Sequence, residues 1–306
     1  MKKLNKSISN KLKNNKIFYD LLNLKLIKRK NLEVFSSRTR DMRIAVLKDT
    51  ISNVIFLSSI NHSYKVYKKE IAQFEKQSKK NNISVDKIGK KRVKFISPND
   101  DLRRYSYIKN KIKNKSVLDF GCGIGTFLSL AKKVASELNG YEVNIPLIKK
   151  LNNRFKLFTS LDSINKSYDF ITMFHVLEHL PDPIIVLKKI RNNLKKNGKI
   201  IIEIPHSKDL LFNLDEFKKF SLWSEHLVLH TEKSIKKILI VSGYKNIKVE
   251  YIQRYNFLNH FRWFLEQKPQ GHTIYKKYND QSLINSYEKF LKKNKLTDTL
   301  LVTASK

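Results

Sequence analysis

One stretch constrains the fold of this chain more than any other: residues 117–127 read Val-Leu-Asp-Phe-Gly-Cys-Gly-Ile-Gly-Thr-Phe. A short apolar run ends at Asp119, and glycines follow at alternate positions, Gly121, Gly123 and Gly125, before a helical pattern begins. Glycine adopts positive φ angles readily and carries no side chain. The arrangement therefore predicts a strand, a tight turn and a helix, with a turn whose backbone can approach a nucleotide-like ligand closely.

Downstream of the glycines, apolar runs typical of buried strands alternate with helical patterns. Residues 138–142 close on the acid Glu142, about 20 residues after the glycines, where a carboxylate can accept the hydroxyls of a ribose. Residues 168–174 have a buried-strand pattern, and residues 199–205 have another after the helix-stopping pair Asn197-Gly198. Such alternation predicts a parallel sheet that is covered on both faces.

In the order and spacing of these motifs, residues 100–250 resemble the class I S-adenosylmethionine-dependent methyltransferases. The glycine spacing is G-x-G-x-G and an acid precedes it, unlike the G-x-G-x-x-G of dinucleotide-binding folds. The resemblance implies a methyltransferase enzyme with S-adenosyl-L-methionine as cofactor. It also implies an α/β, Rossmann-like sheet of seven strands, mostly parallel, with an antiparallel last strand. Asp119 is expected to order the turn and to reach the amino group of the cofactor through water.

This interpretation divides the chain into an N-terminal extension, residues 1–98, and a methyltransferase domain, residues 99–306. The domain has three expected parts in chain order: a core at 115–254, an insertion at 255–298 and the last strand at 299–304. The insertion starts and ends at the carboxyl edge of the sheet, where ligands bind in such folds. We therefore expect it to lie over the crevice, together with residues 206–230, and to form the substrate pocket.

Shorter patterns give local expectations. Residues 17–27 are apolar-rich and flanked by lysines, which is typical of an amphipathic helix that docks on a core or, less commonly, lies on lipid. Residues 43–57 contain two β-rich runs and indicate a hairpin. A helix is predicted over Asp100–Ile112, and Thr231 is the predicted N-cap of a helix that runs to Ser242.

The resemblance also assigns cofactor contacts to particular residues. Glu142 is expected to hold the ribose, and Gly121 and Gly123 are expected to let the backbone approach the methionine part. The acid that the family usually has near the adenine is not evident after the third strand, where residues 159–162 read Thr-Ser-Leu-Asp. Ser160 and Leu161 are expected to border the adenine. The expected cofactor-binding residues are Asp119, Gly121, Cys122, Gly123, Gly125, Glu142, Ser160, Leu161 and Phe174.

Two histidines are candidates for a general base. His175 directly follows the fourth strand and is expected to face the sulfonium of the cofactor. His226 lies in the segment that should roof the crevice, and a neutral imidazole near pH 7 suits proton removal. The alternative for His226 is a structural histidine of the core, which is the commoner role of an isolated histidine. His179, one turn after His175, is expected to make a structural hydrogen bond beneath the site. Methyl transfer from a cationic sulfur chiefly requires an acceptor oxygen that is positioned and deprotonated.

The run from His175 to His179 also spells H-x-x-E-H, the zinc signature of inverted zincins. That signature needs a long helix carrying both histidines, whereas a strand ends here at Phe174, so we predict no metal site. The single cysteine, Cys122, lies in the glycine turn. With neither a disulfide framework nor a cysteine cluster, the sequence favours a reducing cytoplasm.

The formal net charge of +35 suggests nucleic acid as a partner, since a basic surface attracts phosphates. We favour a strong A/T bias in the coding DNA, because lysine, asparagine and isoleucine are all abundant. The lysines are spread along the whole chain, and arginine is much rarer. The first sixteen residues lack the apolar segment of a signal peptide, and no run approaches the ~20 apolar residues of a membrane span. A basic face for anionic sugar nucleotides or for a membrane surface stays open.

Residues 101–105, 223–230 and 253–272 resemble methyltransferases of bacterial surface-polysaccharide and sugar-nucleotide clusters. This second resemblance implies a sugar or glycan acceptor. Related sugar C-methyltransferases carry an N-terminal cysteine cluster for zinc that this chain lacks, so O-methylation is favoured over C-methylation. The alternatives are an RNA methyltransferase, a quinone- or lipid-type acceptor, and an inactive cofactor-binding partner subunit. The sequence names neither the acceptor nor the oligomeric state.

Overall fold

The computed structural model describes residues 6–60, 83–88, 91–96, 100–151 and 153–306. The strands are, in chain order, β1 (Leu32–Ser36), β2 (Val46–Asp49), β3 (Ile55–Leu57), β4 (Ile83–Ile88), β5 (Lys91–Ile96), β6 (Ser116–Phe120), β7 (Glu137–Tyr141), β8 (Lys156–Phe158), β9 (Tyr168–Phe174), β10 (Leu194–Pro205), β11 (Val228–Leu229), β12 (Lys245–Ile252) and β13 (Thr299–Ser305). The α-helices are α1 (Lys6–Leu12), α2 (Lys16–Asn23), α3 (Asp100–Ile112), α4 (Thr126–Ala131), α5 (Ile145–Leu151), α6 (Pro183–Asn192), α7 (Asp215–Ser221), α8 (Glu232–Val241), α9 (Phe257–Glu266), α10 (Gly271–Ile274) and α11 (Gln281–Asn294).

The main sheet has seven strands in the order β12-β13-β10-β9-β6-β7-β8. Strands β6 to β10 pair in parallel, whereas β13 is antiparallel to both of its neighbours, β10 and β12. The predicted α/β class and the predicted antiparallel last strand are therefore confirmed. The strand order reverses between β6 and β9, and ligands of such folds bind outside the carboxyl ends of the strands at this switch point.

The apolar runs become strands because the sheet buries both of their faces. All five residues of β6 are buried, and Ile200, Ile201 and Ile202 of β10 are each 0% exposed. Burying an isoleucine side chain stabilises the fold by about 1.5–3 kcal/mol relative to exposing it. Helix α3 has the predicted bounds, and Thr231 caps α8 in a capping box with Ser234, as predicted.

The N-terminal segment shares its core with the methyltransferase sheet. The predicted hairpin is β2–β3, and it belongs to a second sheet of order β1-β2-β3-β11, in which β11 comes from the domain itself. Helix α2 docks on this sheet, where the buried ring of Phe18 stacks on that of Phe56 at 6.1 Å. Asn15 caps α2 and donates to the backbone oxygen of Leu57, 2.8 Å away. Residues 6–60 are thus tied to the domain by strand pairing and by a common core.

The insertion consists of α9, α10 and α11, and it packs on the segment that follows β10. Trp263 of α9 is buried with its ring 5.1 Å from that of Phe217, and Leu210 donates to the backbone oxygen of Leu296. Across the described residues, no helix combines the length and the apolar character needed to cross a bilayer.

Candidate active site

The glycine turn after β6 has the backbone that the sequence predicts. Gly121, Gly123 and Gly125 have φ angles of 76°, 53° and 74°, the left-handed region that glycine tolerates best. A Cβ placed on Gly121 would approach Cγ2 of Val176 to 2.4 Å, so the turn lies directly against the residue that follows His175. A Cβ on Gly123 would meet no described atom within 4 Å. The backbone at Gly123 therefore borders open space in which a ligand can lie.

Glu142 follows β7 and holds this turn in place. Its carboxylate accepts backbone N–H groups from Gly123 to Oε2 at 2.9 Å, and from Val143 and Asn144 to Oε1 at 2.8 and 2.9 Å. A carboxylate offers about four acceptor directions, so one remains for a ribose hydroxyl. The open space at Gly123 and the acceptor beside it fit the nucleoside and methionine parts of the cofactor that the sequence implies.

Asp119 lies buried at the end of β6. It accepts a hydrogen bond of 2.7 Å from the hydroxyl of Thr172 on the neighbouring strand β9. Burial raises the pKa of Asp119 to about 7, and the bond from Thr172 only partly opposes this. A positively charged ligand group near this carboxyl would favour its ionised form.

The remaining expected cofactor residues lie around the same edge of the sheet. The thiol of Cys122 is buried, and burial raises its pKa. Phe174 ends β9, where its ring lies 5.0 Å from that of Phe127. Ser160 and Leu161 begin a short 3₁₀ helix after β8, and Ser160 caps it by accepting from the backbone of Ser163.

His175 turns the chain sharply out of β9. Its φ angle is 53°, a strained value for a residue with a side chain. Its Nδ1 lies 3.0 Å from Oε1 of Glu178, and its Nε2 lies 3.4 Å from Oε1 of Glu203. Burial lowers the pKa of His175, but the two carboxylates outweigh burial and raise it. The ring is thus held between two acids.

Glu203 is the main site residue that sequence reasoning missed. It lies in β10 with its side chain 0% exposed, and Arg103 of α3 binds it through two nitrogens at 2.8 and 2.9 Å. Arg104 adds a contact of 2.7 Å. Burial opposes the ionisation of Glu203, yet His175 and the two arginines hold its pKa well below its ordinary value. The available signal was a charged residue inside the apolar run of residues 200–204, because a buried charge requires a partner.

Glu178, His179 and His226 form a second group beside His175. Glu178 is 1% exposed, and the rings of His179 and His226 lie 4.9 Å apart. Burial raises the pKa of Glu178, but the bond from His175 prevails and lowers it to about 2. Burial and then the neighbouring His179 lower the pKa of His226 to about 3. The structure therefore brings His175 and His226, the two predicted bases, to one cluster through Glu178, and His179 belongs to the same cluster.

The loop that carries His226 is held by the N-terminal segment. Asp41 accepts the backbone N–H of Ser224 at 3.0 Å and also binds its hydroxyl. Arg40 lies over the rings of Phe220 and Trp223, at 4.3 and 4.6 Å from their centroids. The position of His226 thus depends on residues far away in the sequence.

The strand order, the glycine turn after β6 and the acid after β7 define a Rossmann-like fold of the methyltransferase type. A family model described as a methyltransferase domain matches residues 90–249. Because this match covers more than half of the chain, the chain belongs to the methyltransferase domain family.

Individual relatives match only part of the chain. An uncharacterized protein of Methanocaldococcus jannaschii is 30% identical over 151 residues, which are 46% of this chain and 60% of that protein. A ubiquinone biosynthesis O-methyltransferase of Histophilus somni is 27% identical over 141 residues, 37% of this chain and 59% of that protein. The chain thus spans about three fifths of the length of these relatives. A solved SAM-dependent methyltransferase from Archaeoglobus fulgidus aligns with a TM-score of 0.49 at 22% identity, over 68% of this chain and 93% of that one.

Proposed function

We propose that this enzyme methylates a hydroxyl oxygen of a sugar or glycan in the biosynthesis of a surface polysaccharide. The observation that carries the proposal is the adjacency of two features. The open space at Gly123 and Glu142 suits the cofactor, and Val176 connects the glycine turn to the cluster of histidines and acids. A methyl donor and an acceptor hydroxyl held at these two places would lie side by side.

In this proposal the chain holds the cofactor through the glycine turn and Glu142. The remaining acceptor direction of Glu142 binds a ribose hydroxyl, and Asp119 faces the amino group through water. When bound, S-adenosyl-L-methionine supplies an electrophilic methyl carbon, which bonds to the acceptor oxygen as its bond to sulfur breaks and the electron pair stays on sulfur.

The residues of the chain must then position the acceptor oxygen and take up its proton. We assign this task to the cluster at the end of β9, with His226 or His175 as the general base. His226 retains partial exposure and lies in the loop between α7 and β11. His175 lies between Glu178 and Glu203, which fix the orientation of its ring.

Aromatic and polar residues of the insertion support a sugar as the methyl acceptor. Tyr255 lies at its start, partly exposed, with the guanidinium of Arg254 5.6 Å from its ring centroid. Arg254 is itself paired with Asp100. Aromatic rings with polar partners suit stacking on a sugar ring. A second candidate, a quinone precursor with a phenolic hydroxyl, is favoured by the similarity to the ubiquinone biosynthesis O-methyltransferase.

Calorimetry of S-adenosyl-L-methionine binding tests the cofactor site. Glu142→Ala should weaken the affinity roughly 10–100-fold, because a hydrogen bond to a charged group contributes about 1.5–3 kcal/mol. Glu137→Ala is the matched control, since Glu137 begins β7, the strand that Glu142 follows, and its exposed carboxylate pairs with Lys166. Unchanged affinity in Glu142→Ala would contradict the assignment.

Transfer of a labelled methyl group tests the acceptor. The purified protein is incubated with labelled cofactor and, separately, with sugar nucleotides, phenolic quinone precursors and RNA. Label in the sugar nucleotides supports the proposal. Label in the phenols or in RNA instead would replace it with the corresponding alternative, and cofactor binding without any transfer would favour an inactive partner subunit.

A further inference from the structure

We propose that Glu178, His179 and His226 bind a divalent transition-metal ion, with zinc as the ion whose ligand preferences fit best. A carboxylate oxygen of Glu178 and one ring nitrogen from each histidine all lie within 4.8 Å of one another. Metal–ligand bonds of 2.0–2.1 Å place tetrahedral donors about 3.3 Å apart, so small side-chain rotations bring these donors around one ion. Two histidines and one glutamate are a ligand set found in catalytic zinc sites.

An unsatisfied carboxylate oxygen of Glu178 independently points to a bound cation. The residue is 1% exposed, and its Oε1 is engaged by His175 at 3.0 Å. Its other oxygen, Oε2, has no hydrogen-bond partner among the described residues. A buried carboxylate oxygen left unsatisfied is costly, and a cation bound by Glu178 through Oε2 would satisfy it.

The surroundings of Glu178 resemble those that orient metal ligands in proteins. His175 holds one carboxylate oxygen, and Glu203 lies against the opposite ring nitrogen at 3.4 Å. Arg103 fixes Glu203 through two hydrogen bonds. Partners behind the ligands fix their orientation and raise their affinity for the ion. His175 therefore serves as a positioning residue for Glu178 in this proposal.

An ion here would be accessible to solvent. His179 has a side chain that is 21% exposed, and His226 is also partly exposed. Three protein ligands leave at least one coordination position for water or for an oxygen of the acceptor. The arrangement differs from an inverted-zincin helix, because the third ligand comes from the distant loop of His226, which the sequence pattern does not reveal.

The role of the ion rests on the proposed function. An acceptor hydroxyl bound at the open position loses its proton to water more readily, because the cation stabilises the oxyanion. His226 then acts as a ligand and water receives the proton. An acceptor with two neighbouring hydroxyls, such as a sugar diol, could bind through both oxygens. A metal ion at this site thus favours an acceptor that carries neighbouring hydroxyl groups.

Cobalt binding tests the site without any assay of activity. Untagged protein is stripped with a chelator, dialysed and titrated with Co²⁺ alone, and the visible absorption of the bound ion is recorded. We expect one ion per chain, displaced by Zn²⁺. Glu178→Gln, His179→Gln and His226→Gln should each weaken Co²⁺ binding at least 10-fold. His272→Gln, a histidine change in α10, should leave the titration unchanged, and circular dichroism confirms folding of each variant.

The result separates this inference from the proposed function. The metal site is contradicted if Co²⁺ gives no visible absorption with the protein. It is also contradicted if His179→Gln and His226→Gln both leave the titration unaltered. Calorimetry of cofactor binding on the same stripped protein reports on the proposed function independently. Cofactor binding without Co²⁺ binding would leave His226 as a direct base, whereas Co²⁺ binding without cofactor binding would contradict the proposed function alone.

Discussion

Glu203 on β10 and Asp119 on β6 are buried carboxylates on the two strands that flank β9, and their surroundings are chemically different. Glu203 is surrounded by Arg103, Arg104 and His175, so its ionised form is compensated inside the protein. Asp119 has a hydroxyl partner, Thr172, and its pKa is raised by burial to about 7. The first acid therefore orders the site at every physiological pH, while the second titrates near neutrality.

The pH dependence of stability follows from Asp119. In the unfolded chain this carboxyl ionises near 3.8, whereas in the fold it resists ionisation until about pH 7. The carboxyl therefore costs stability progressively as the pH rises between these values, and the cost is complete above pH 7. Asp119→Asn removes the titration and keeps an acceptor for Thr172.

Asp119→Asn should therefore raise the free energy of unfolding above that of the parent protein. We expect this increase to be about 2–3 kcal/mol larger at pH 8 than at pH 5. Urea denaturation without cofactor measures this difference. Asp162→Asn, a change at an exposed position, is the control and should show little change. A gain that is equal at both pH values would contradict the raised pKa.

Substitution of His175 and of His226 distinguishes a catalytic role of each histidine from a structural one. Replacing a residue that takes up or controls the acceptor proton with Gln should lower turnover about 10²–10⁴-fold while leaving cofactor affinity nearly intact. A merely structural histidine would lower the melting temperature and affect turnover modestly. Turnover, cofactor calorimetry and melting temperature are measured for both variants. Near-normal turnover in both would mean that another group or solvent removes the proton.

At the scale of elements, Gly121 and Gly123 of the glycine turn have different structural roles. A Cβ at Gly121 would collide with Val176, so this position permits the close contact between the turn and the end of β9. A Cβ at Gly123 would project into open space beside Glu142, so this position keeps room for a ligand. Both have positive φ angles, which cost an alanine roughly 1–2 kcal/mol.

We expect Gly121→Ala to lower the melting temperature clearly more than Gly123→Ala does, because a steric conflict adds to the backbone strain. Gly123→Ala should instead weaken cofactor binding about tenfold or more while the protein stays folded. Thermal unfolding and calorimetry of both variants give the comparison, each serving as the control for the other. Equal losses of affinity and stability in both would remove the distinction.

At the scale of the whole molecule, the N-terminal segment and the methyltransferase sheet form one structural unit. Strand β3 pairs with β11, and a continuous core contains Phe56 together with residues of the central strands such as Met173 and Val302. Asp41 and Arg40 also support the loop of His226. The N-terminal extension is therefore part of the framework of the candidate active site.

This continuity predicts that Phe56→Asp destabilises the entire molecule by about 3–5 kcal/mol or more, since it buries a charge in place of a ring. Circular dichroism of the backbone and the tryptophan signal of Trp223 and Trp263 should lose their folded values in one shared transition at a lower temperature. Ile51→Asp, at a position 76% exposed in the adjoining turn, should change little. Two separate transitions would show that the segment folds independently.

The sequence alone determined the order of strands and helices, the glycine turn, the acid after β7 and the position of the last strand, because these depend on local periodicity and on conformations that only glycine adopts. It also placed His175 at a strand end. The tertiary structure decided the rest. The pairing of Glu203 with α3, the support of the His226 loop by Asp41 and the meeting of Glu178, His179 and His226 all join segments distant in the chain. Such contacts arise from the desolvation of charges and from the packing of surfaces, and neither leaves a periodic pattern in the sequence.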